Sequence, residues 1–409
     1  MTDPSAPLRA LVIIGTRPEA IKMVPVVRAL RASDAVDCRV CATAQHREML
    51  DQVLELFGIV PDYDLDTMAH GQSPTQVAAR ILERLDPVLR EMRPDWVLVQ
   101  GDTTTVAVGA LAAFYAGAKV GHVEAGLRSG DRRDPFPEEV NRRVAGAIAD
   151  LHFAPTALSE SNLLREGADP ASVLVTGNTV IDALHWASEL GLDGENADAL
   201  AGAELQRALA RVEGGARMVL VTAHRRENHG APLGRIASAL RRLAERYGPD
   251  SDAPVEFVFP VHPNPNVRGP VHEALGDVAN VTLIEPLPYR ALIELMRRAA
   301  IVLTDSGGMQ EEAPGFGKPV LVLRETTERP EGVDAGTARL IGTDEEAIVG
   351  AMRELLDRPA AYAAMAHAVN PYGDGRASER ILAAILQAEG RPADGLAASP
   401  LRSAGAPVS

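Results

Sequence analysis

Two glycines and two carboxylates follow an apolar run near the end of the chain. The stretch TDSGGMQEE (304–312) comes directly after AAIVL, which is typical of a buried strand. A Ser-Gly-Gly turn that opens a helix presents free backbone N–H groups and a positive dipole end, and both favour phosphate. Glu311 and Glu312 would repel a bare anion. The pattern therefore predicts either no phosphate, or a phosphate carried by a molecule with other groups that a carboxylate binds.

Acidic residues also follow strands in the first half of the chain. Asp102 ends the run DWVLVQGD. Glu124 lies at the end of the next predicted strand, in GHVEAG, and Glu138-Glu139 stand at a helix start in DPFPEEVNR. Asp102 alone would be explained by a helix cap and the glutamate pair by the helix dipole. Three carboxylates near one cleft, however, raise the pKa of at least one of them by repulsion, which suits it to proton transfer near neutral pH.

Basic residues occupy similar positions. Arg17 and Lys22 lie in GTRPEAIK, which follows the first predicted strand, and His224 and Arg225 follow a later strand in TAHRREN. His262 follows another in VHPNPNVR. Ordinary surface charge is the alternative interpretation, but a guanidinium at a strand-to-helix turn matches phosphate geometry. We therefore expect Arg17 to bind a ligand.

Several classes of function lack their signals. The net charge of −15 argues against nucleic acid as a partner. No apolar run approaches a membrane span and no signal peptide is recognised, so we expect a cytoplasmic protein. The dinucleotide-binding and P-loop motifs are missing, which argues against those two kinds of nucleotide site. The H-E-x-x-H motif is also missing, so no metal site is predicted. Cys38 and Cys41 lie in a strand-like segment, which favours an inert structural role.

Apolar runs of strand length alternate with helical patterns in both halves of the chain. This alternation predicts an α/β protein with two doubly wound, Rossmann-like domains facing across a cleft. We assign residues 1–180 plus about 372–390 to an N-terminal domain with the carboxylates. Residues 181–371 form the second domain, and the low-complexity tail 391–409 is expected to be disordered.

Long motifs give the chain a specific resemblance. It resembles the non-hydrolysing bacterial UDP-N-acetylglucosamine 2-epimerases, whose fold is of the glycosyltransferase-B type. The motifs occur in that family's order from about residue 9 to 390. They are GTRPEAIKM, TAQHREMLDQVL, GDTTT, GHVEAGLRSGD, PFPEEVNR, TGNTVIDAL, TAHRREN, TDSGGMQEEAP, GKPVLVLRETTERPE and NPYGDG.

The resemblance implies how the opening motif works. The Ser-Gly-Gly turn would hold the diphosphate of a UDP-sugar, and Glu312 would accept hydrogen bonds from the ribose hydroxyls. Leu287 and Leu292 would flank the uracil. The positions that match UDP contacts are Arg17, Lys22, Leu287, Leu292, Ser306, Gly307, Gly308, Glu312 and Arg329.

The implied reaction inverts C2 of the sugar. Direct deprotonation is implausible because no carbonyl is attached to C2. The resemblance implies elimination instead: UDP leaves C1 as the C2 proton is removed, giving 2-acetamidoglucal, and UDP then adds back. Asp102, Glu124 and Glu138 match the family's essential carboxylates, with acid and base left open, and His224 would stabilise the departing diphosphate. No cofactor is implied.

Two further properties come from the resemblance. Many members bind a second UDP-N-acetylglucosamine as an activator, and the matching residues here are Gln45, His46, Arg225 and His262. Glu48 stands where some activator-binding members have Gln. The family is commonly homodimeric.

Four alternatives remain open from the sequence. A hydrolysing epimerase would release free N-acetylmannosamine and UDP, and a glycosyltransferase on the same fold would need an acceptor. A catalytically silent UDP-sugar-binding protein is a third, although the intact carboxylates oppose it. An epimerase acting on a related UDP-2-acetamido sugar is the fourth.

Overall fold

The chain forms two compact units. The computed structural model describes residues 6–43, 47–67, 71–192, 194–393 and 395–396. Unit 1 contains the described residues up to Trp186 together with those from Tyr372 onward, and unit 2 spans Ala187–Pro371. Each unit has a parallel sheet with interleaved helices, so the α/β prediction is confirmed.

The sheet of unit 1 is parallel throughout its described strands. Their order is β3-β2-β1-β4-β5-β6-β7, and it changes direction between β1 and β4. The strands are β1 (Leu8–Ile14), β2 (Val36–Ala42), β3 (Tyr63–Asp64), β4 (Trp96–Gln100), β5 (Lys119–Val123), β6 (Leu151–Ala154) and β7 (Val173–Val175).

Unit 2 repeats this plan. Its described strands are parallel in the order β10-β9-β8-β11-β12-β13, and the order changes direction between β8 and β11. The strands are β8 (Arg217–Thr222), β9 (Val255–Pro260), β10 (Val281–Ile284), β11 (Ile301–Thr304), β12 (Val320–Val322) and β13 (Ala338–Leu340).

Helices connect the strands of both units. Across the described ranges, no helix combines the length and apolar character that crossing a membrane requires. The helices are α1 (Arg17–Arg31), α2 (Arg47–Leu56), α3 (Pro74–Met92), α4 (Thr104–Tyr115), α5 (Glu138–Ile148), α6 (Ala157–Arg165), α7 (Thr179–Glu189), α8 (Gly194–Leu200), α9 (Ala203–Glu213), α10 (Ala231–Arg246), α11 (Pro265–Leu275), α12 (Tyr289–Arg298), α13 (Gly307–Gly315), α14 (Pro330–Asp334), α15 (Glu345–Asp357), α16 (Pro359–Ala366) and α17 (Ala377–Ala388).

Helix α3 shows how local sequence sets these elements. Ser73 caps it by accepting a hydrogen bond from the Gln76 backbone N–H at 3.3 Å, and the Gln76 side chain accepts from Ser73 N at 2.9 Å. Val77, Ile81 and Leu85 recur at helical spacing and are all buried against the sheet. This apolar stripe therefore fixes the helix against the sheet.

The C-terminal segment completes unit 1. Asp182 accepts hydrogen bonds from the backbone N–H groups of Ala377 at 3.2 Å and Ser378 at 2.8 Å, which satisfies the first turn of α17. The Asn178 N–H donates to the Tyr372 carbonyl at 2.6 Å. Unit 1 is thus built from two stretches of chain separated by all of unit 2.

The two sheets define where side chains with chemistry are expected. In an open parallel sheet, loops on either side of the point where strand order reverses enclose a crevice at the carboxyl ends of the strands. That point lies between β1 and β4 in unit 1, and between β8 and β11 in unit 2. Four motifs begin at these strand ends: GTRPEAIK, GDTTT, TAHRREN and TDSGG.

Candidate active site

The loop after β1 is fixed by a buried glutamate. Glu19 accepts hydrogen bonds from the backbone N–H groups of Gly15 at 2.5 Å and Thr16 at 2.8 Å, and the Thr103 hydroxyl donates to its other oxygen. Residue 15 must be glycine because a Cβ there would lie 2.5 Å from Oγ1 of Thr105. The loop and the start of α1 are therefore held rigidly, and α1 carries Arg17 and Lys22.

Glu124 is gripped by donors from three other segments. Nζ of Lys22 and Nε2 of Gln100 both contact its carboxylate, and Nδ2 of Asn178 donates to Oε1 at 3.0 Å. The side chain is buried, and Glu124 has a φ of 60°, in the left-handed region that a non-glycine residue rarely adopts. Such backbone strain is concentrated at functional sites. These donors favour the ionised carboxylate.

Asp102 is bound by an arginine. Nε and Nη2 of Arg142 lie 3.0 and 2.5 Å from Oδ2 of Asp102, and the Asn141 side chain donates to the Asp102 carbonyl at 2.9 Å. Thr103, not Asp102, caps α4, since its hydroxyl accepts from Val106 N at 3.4 Å. The side chain of Asp102 is therefore not consumed by helix capping.

The paired glutamates at the start of α5 have different surroundings. Glu139 has no exposed surface and accepts hydrogen bonds from Ser129 N at 3.0 Å, Arg142 at 2.9 Å and Arg143 at 3.3 Å. Burial alone would raise its pKa, but these donors hold the pKa of Glu139 below its usual value. Oε2 of Glu138 is buried and has no hydrogen-bond partner among the described residues. Glu138 is thus the member of the pair whose carboxyl group remains available for chemistry.

His122, one position before the end of β5, supports the same region. Its Nε2 lies 2.8 Å from the Gly101 carbonyl, directly before Asp102. Complete burial lowers the pKa of His122 to about 4, so the imidazole is neutral and its Nε2–H donates. The histidine is therefore a neutral support for the Gly101–Asp102 turn.

In unit 2, His224 follows β8 and Asp305 follows the neighbouring strand β11. Nδ1 of His224 lies 3.1 Å from Oδ1 of Asp305. The backbone N–H groups of His224 and Arg225 donate to Oδ2 at 2.9 and 2.8 Å. His262 stacks on His224 with ring centroids 6.0 Å apart. The strand-end residues His224, Arg225 and His262 are thus brought together.

The Ser-Gly-Gly turn opens α13, as the sequence predicts. Ser306 is the N-cap and makes no side-chain capping bond, so the first N–H groups of α13 lack that partner. A Cβ placed on Gly307 would lie 3.6 Å from Nη2 of Arg225, which places a cation beside the turn. A Cβ on Gly308 would lie 3.2 Å from Oε1 of Glu312. The turn, a guanidinium and a carboxylate are therefore neighbours.

Glu311 and Glu312 separate in the structure. Glu311 is buried and contacts the Arg329 guanidinium, whereas Glu312 lies near Gly308. Leu287 and Leu292 are half-buried and pack against the core around β8 and β11. The positions of these side chains in unit 2 are thus defined, and their contacts with UDP stay predictions.

The described contacts do not test some of the sequence predictions, and sequence reasoning missed some residues of the site. Gln45 and His46 lie outside the described residues. The ligand-facing roles predicted for Arg17 and Lys22 stay predictions. The residues that sequence reasoning missed are Gln100, Arg142, Asn178 and Asp305. All four lie within stretches quoted above, which was the available signal: DWVLVQGD, PFPEEVNR, TGNTVIDAL and TDSGGMQEE.

The possible metal ligands and the two cysteines can also be located. Within the ranges that the structure describes, no cluster of three or more His, Cys, Asp or Glu side chains could hold a metal ion. Cys38 and Cys41 are both buried free thiols three residues apart on β2, and burial raises the pKa of each thiol to about 12. Such thiols are unreactive near neutral pH.

Comparison with known proteins extends these observations. Residues 28–386 match the family model described as UDP-N-acetylglucosamine 2-epimerase. The UDP-N-acetylglucosamine 2-epimerase of Yersinia pestis is 52% identical over 378 residues, covering 92% of this chain and 98% of that protein. That of Bacillus subtilis is 49% identical over 379 residues, covering 93% of this chain and 95% of that protein.

A solved structure agrees. The Neisseria meningitidis UDP-GlcNAc 2-epimerase, crystallised with UDP-GlcNAc, is 46% identical, with a TM-score of 0.77 over 93% of this chain and 100% of that chain. The chain therefore belongs to the UDP-N-acetylglucosamine 2-epimerase family.

Proposed function

We propose that this protein interconverts UDP-N-acetylglucosamine and UDP-N-acetylmannosamine without hydrolysis. Unit 2 binds UDP, and unit 1 supplies carboxylates that move the C2 proton. The observation that carries the proposal is the contrast among three carboxylates of unit 1. Asp102 contacts the guanidinium of Arg142 and Glu124 contacts the ammonium of Lys22, whereas Glu138 has a buried oxygen without a described partner.

The proposed chemistry is an elimination followed by addition. An ionised carboxylate removes the C2 proton, the C2–H electron pair forms a C1=C2 double bond, and the C1–O bond breaks with its electrons leaving on UDP. The intermediate is 2-acetamidoglucal beside UDP. UDP oxygen then re-forms the bond to C1 while a second carboxyl group protonates the opposite face of C2. Two proton carriers are needed, and Asp102, Glu124 and Glu138 are the proposed set.

Charge develops on the diphosphate as it leaves. We assign its stabilisation to His224, Arg17 and the helix start at Ser306–Gly308, since preorganised donors act most strongly where charge appears in the transition state. Glu312 accepts hydrogen bonds from the ribose. The remaining UDP contacts are proposed for Lys22, Leu287, Leu292 and Arg329.

Three finer assignments rest on the family likeness. We propose that a second UDP-N-acetylglucosamine binds as an activator at Gln45, His46, Arg225 and His262. In support, His262 of this set stacks on His224, which is proposed to act on the diphosphate. We also propose a homodimer that acts in the cytoplasm.

Heavy water tests the reaction class. Incubation with UDP-N-acetylglucosamine in D2O, followed by NMR, should place deuterium at C2 of both epimers with the UDP linkage intact. Glu124→Gln should abolish this exchange and leave UDP affinity within about twofold of the parent. Glu83→Gln, on the exposed side of α3, is the matched control and should exchange normally.

The same spectra separate the alternatives. Free N-acetylmannosamine with UDP would identify a hydrolysing epimerase. Turnover that requires an added acceptor, with no label at C2, would identify a glycosyltransferase. Exchange that survives in Glu124→Gln would remove that residue from the proposed set.

A further inference from the structure

Asp305 is a buried carboxylate that the proposed reaction does not use directly. It follows β11, and His224 lies two residues beyond the end of β8. These strands pair in parallel with Thr304 opposite Thr222. Asp305 has no exposed surface, whereas the His224 side chain is 40% exposed. The pairing therefore places a buried acid behind an imidazole that faces solvent.

The two carboxylate oxygens of Asp305 have different neighbours. Oδ2 accepts hydrogen bonds from His224 N at 2.9 Å, Arg225 N at 2.8 Å and the Asn228 side chain at 3.0 Å. Oδ1 is buried, has no hydrogen-bond partner among the described residues, and lies 3.1 Å from Nδ1 of His224. One oxygen thus fixes the backbone after β8, and the other faces the imidazole alone.

Asp305 is ionised in this setting. Burial alone would raise its pKa, but the His224 imidazole and the backbone N–H groups of Arg225 and His224 outweigh that effect and lower the pKa of Asp305. An ionised carboxylate can only accept, so the imidazole nitrogen that faces it must carry a proton. The other nitrogen, Nε2, is then left for a ligand.

His262, which stacks on His224, has different hydrogen-bond partners. Nδ1 of His262 accepts a hydrogen bond from Asn264 N at 3.2 Å, so its proton in the neutral ring sits on Nε2. No carboxylate of the described residues is recorded within ion-pair distance of His262. The two adjacent imidazoles therefore have opposite tautomers, and only His224 is backed by a carboxylate.

We propose that Asp305 is a positioning residue that keeps the proton on Nδ1 of His224 and thereby directs Nε2 towards the departing diphosphate. The second half of this statement rests on the proposed function. Neutral His224 then offers Nε2 as an acceptor, and protonated His224 offers it as a charged donor. A donor fixed in this way needs no reorientation when the C1–O bond breaks.

The tautomer of His224 tests the positioning role without any substrate. In the ¹⁵N-labelled protein, assigned with His224→Asn, the wild-type His224 signal should show Nδ1 protonated. In Asp305→Asn the single amide oxygen is needed by the backbone N–H groups, so the amide NH2 faces Nδ1. The proton should then move to Nε2. Asn228→Ala removes another donor to the same carboxylate and should leave the Nδ1–H tautomer unchanged.

Kinetics tests the second half of the proposal. Asp305→Asn should lower kcat for C2 exchange about 100-fold while KM changes less than about threefold. In a His224→Asn background, Asp305→Asn should lower kcat by less than about twofold further. Asp305 and His224 act as a pair, so either substitution alone removes the effect of the pair.

The outcomes are separable. A wild-type His224 protonated on Nε2 overturns the proposal even if Asp305→Asn fails to fold, and so does an additive effect in the His224→Asn background. Absence of C2 exchange in the wild type overturns the proposed function. In that case the tautomer measurement alone decides whether Asp305 positions His224.

Discussion

Arg142 holds one oxygen of Asp102 between two guanidinium nitrogens, with Nε at 3.0 Å and Nη2 at 2.5 Å from Oδ2. Its third nitrogen, Nη1, lies 2.9 Å from Oε2 of Glu139, which has no exposed surface. A buried anion therefore fixes the arginine, and the arginine fixes the proposed catalytic aspartate. The planar fork of arginine makes this double contact possible.

This linkage predicts the effect of removing the charge. Arg142→Met should lower kcat for C2 exchange about 10- to 100-fold, because Asp102 loses the group that orients it. Arg143→Met is the control, since Arg143 also contacts Glu139, at 3.3 Å, but no contact with Asp102 is recorded. Exchange should be measured by NMR in D2O. Equal losses in the two variants would show that Glu139, and not the orientation of Asp102, controls the rate.

The two glutamates of α5 should respond oppositely to amide substitution. Glu138→Gln should abolish exchange and change the free energy of unfolding by less than about 0.5 kcal/mol, since Oε2 has no described partner. Glu139→Gln should reduce the free energy of unfolding by about 1–3 kcal/mol, because a buried acceptor of three hydrogen bonds loses its charge. Denaturant titration and the exchange assay together check both. A stable, active Glu138→Gln would remove that residue from the catalytic set.

Glu312 should discriminate between ribose and deoxyribose. If its carboxylate accepts hydrogen bonds from the ribose hydroxyls, Glu312→Gln should weaken UDP binding about 10-fold, as expected for a lost charged hydrogen bond. The same change should affect 2′-deoxy-UDP less, because one donor is already missing from that ligand. Isothermal titration with both nucleotides measures the difference. An identical loss for both ligands would place Glu312 away from the 2′-hydroxyl.

The buried carboxyl group of Glu19 should make the stability of the protein depend on pH. Burial, opposed by the hydrogen bonds from Thr103, Gly15 and Thr16 and aided by repulsion from Asp102, raises the pKa of Glu19 to about 7. The ordinary value of about 4.5 applies in the unfolded chain. Because the folded-state pKa is the higher one, the folded state binds more protons between these values. The contribution of Glu19 to the free energy of unfolding is therefore complete below about pH 4.5 and is lost as the pH rises through about 7.

The matched variant isolates this effect. Glu19→Gln cannot titrate, so the free energy of unfolding of the wild type, relative to the variant, should fall by up to about 3 kcal/mol between pH 4.5 and 7.5. Denaturant titrations at several pH values give this difference. His122 works in the opposite direction, since its lowered pKa removes stability as the pH falls from 6.5 towards 4. Only the difference between variants, and not the wild-type curve alone, therefore tests the assignment. A flat difference would contradict it.

The sequence identified the carboxylates but not the groups that hold them. Asp102 and Glu124 could be placed together because they end consecutive strand patterns, and β4 and β5 are indeed neighbours. Arg142 and Asn178 could not be found this way. They lie 40 and 54 residues from their partners, and no local pattern reports such a contact.

The family resemblance singled out Glu138 and Glu312, but periodicity could not show which member of each acidic pair is buried. Glu138 and Glu139 share the first turn of α5, and Glu311 and Glu312 are consecutive in α13. Which member is buried depends on how the helix is rotated about its axis on the sheet. Tertiary packing sets that rotation, so periodicity alone could not separate Glu139 and Glu311, which bind arginines, from their neighbours.

The split construction of unit 1 has a consequence for how the protein matures on the ribosome. Asn178, which donates to Glu124, is itself tied to Tyr372, and Asp182 binds the start of α17. A nascent chain that has only reached residue 371 lacks all of these later partners, although every proposed catalytic carboxylate has already been synthesised. Translation must therefore pass through the whole second unit before Glu124 acquires its final surroundings, and a product truncated before Tyr372 should carry an unfinished first unit.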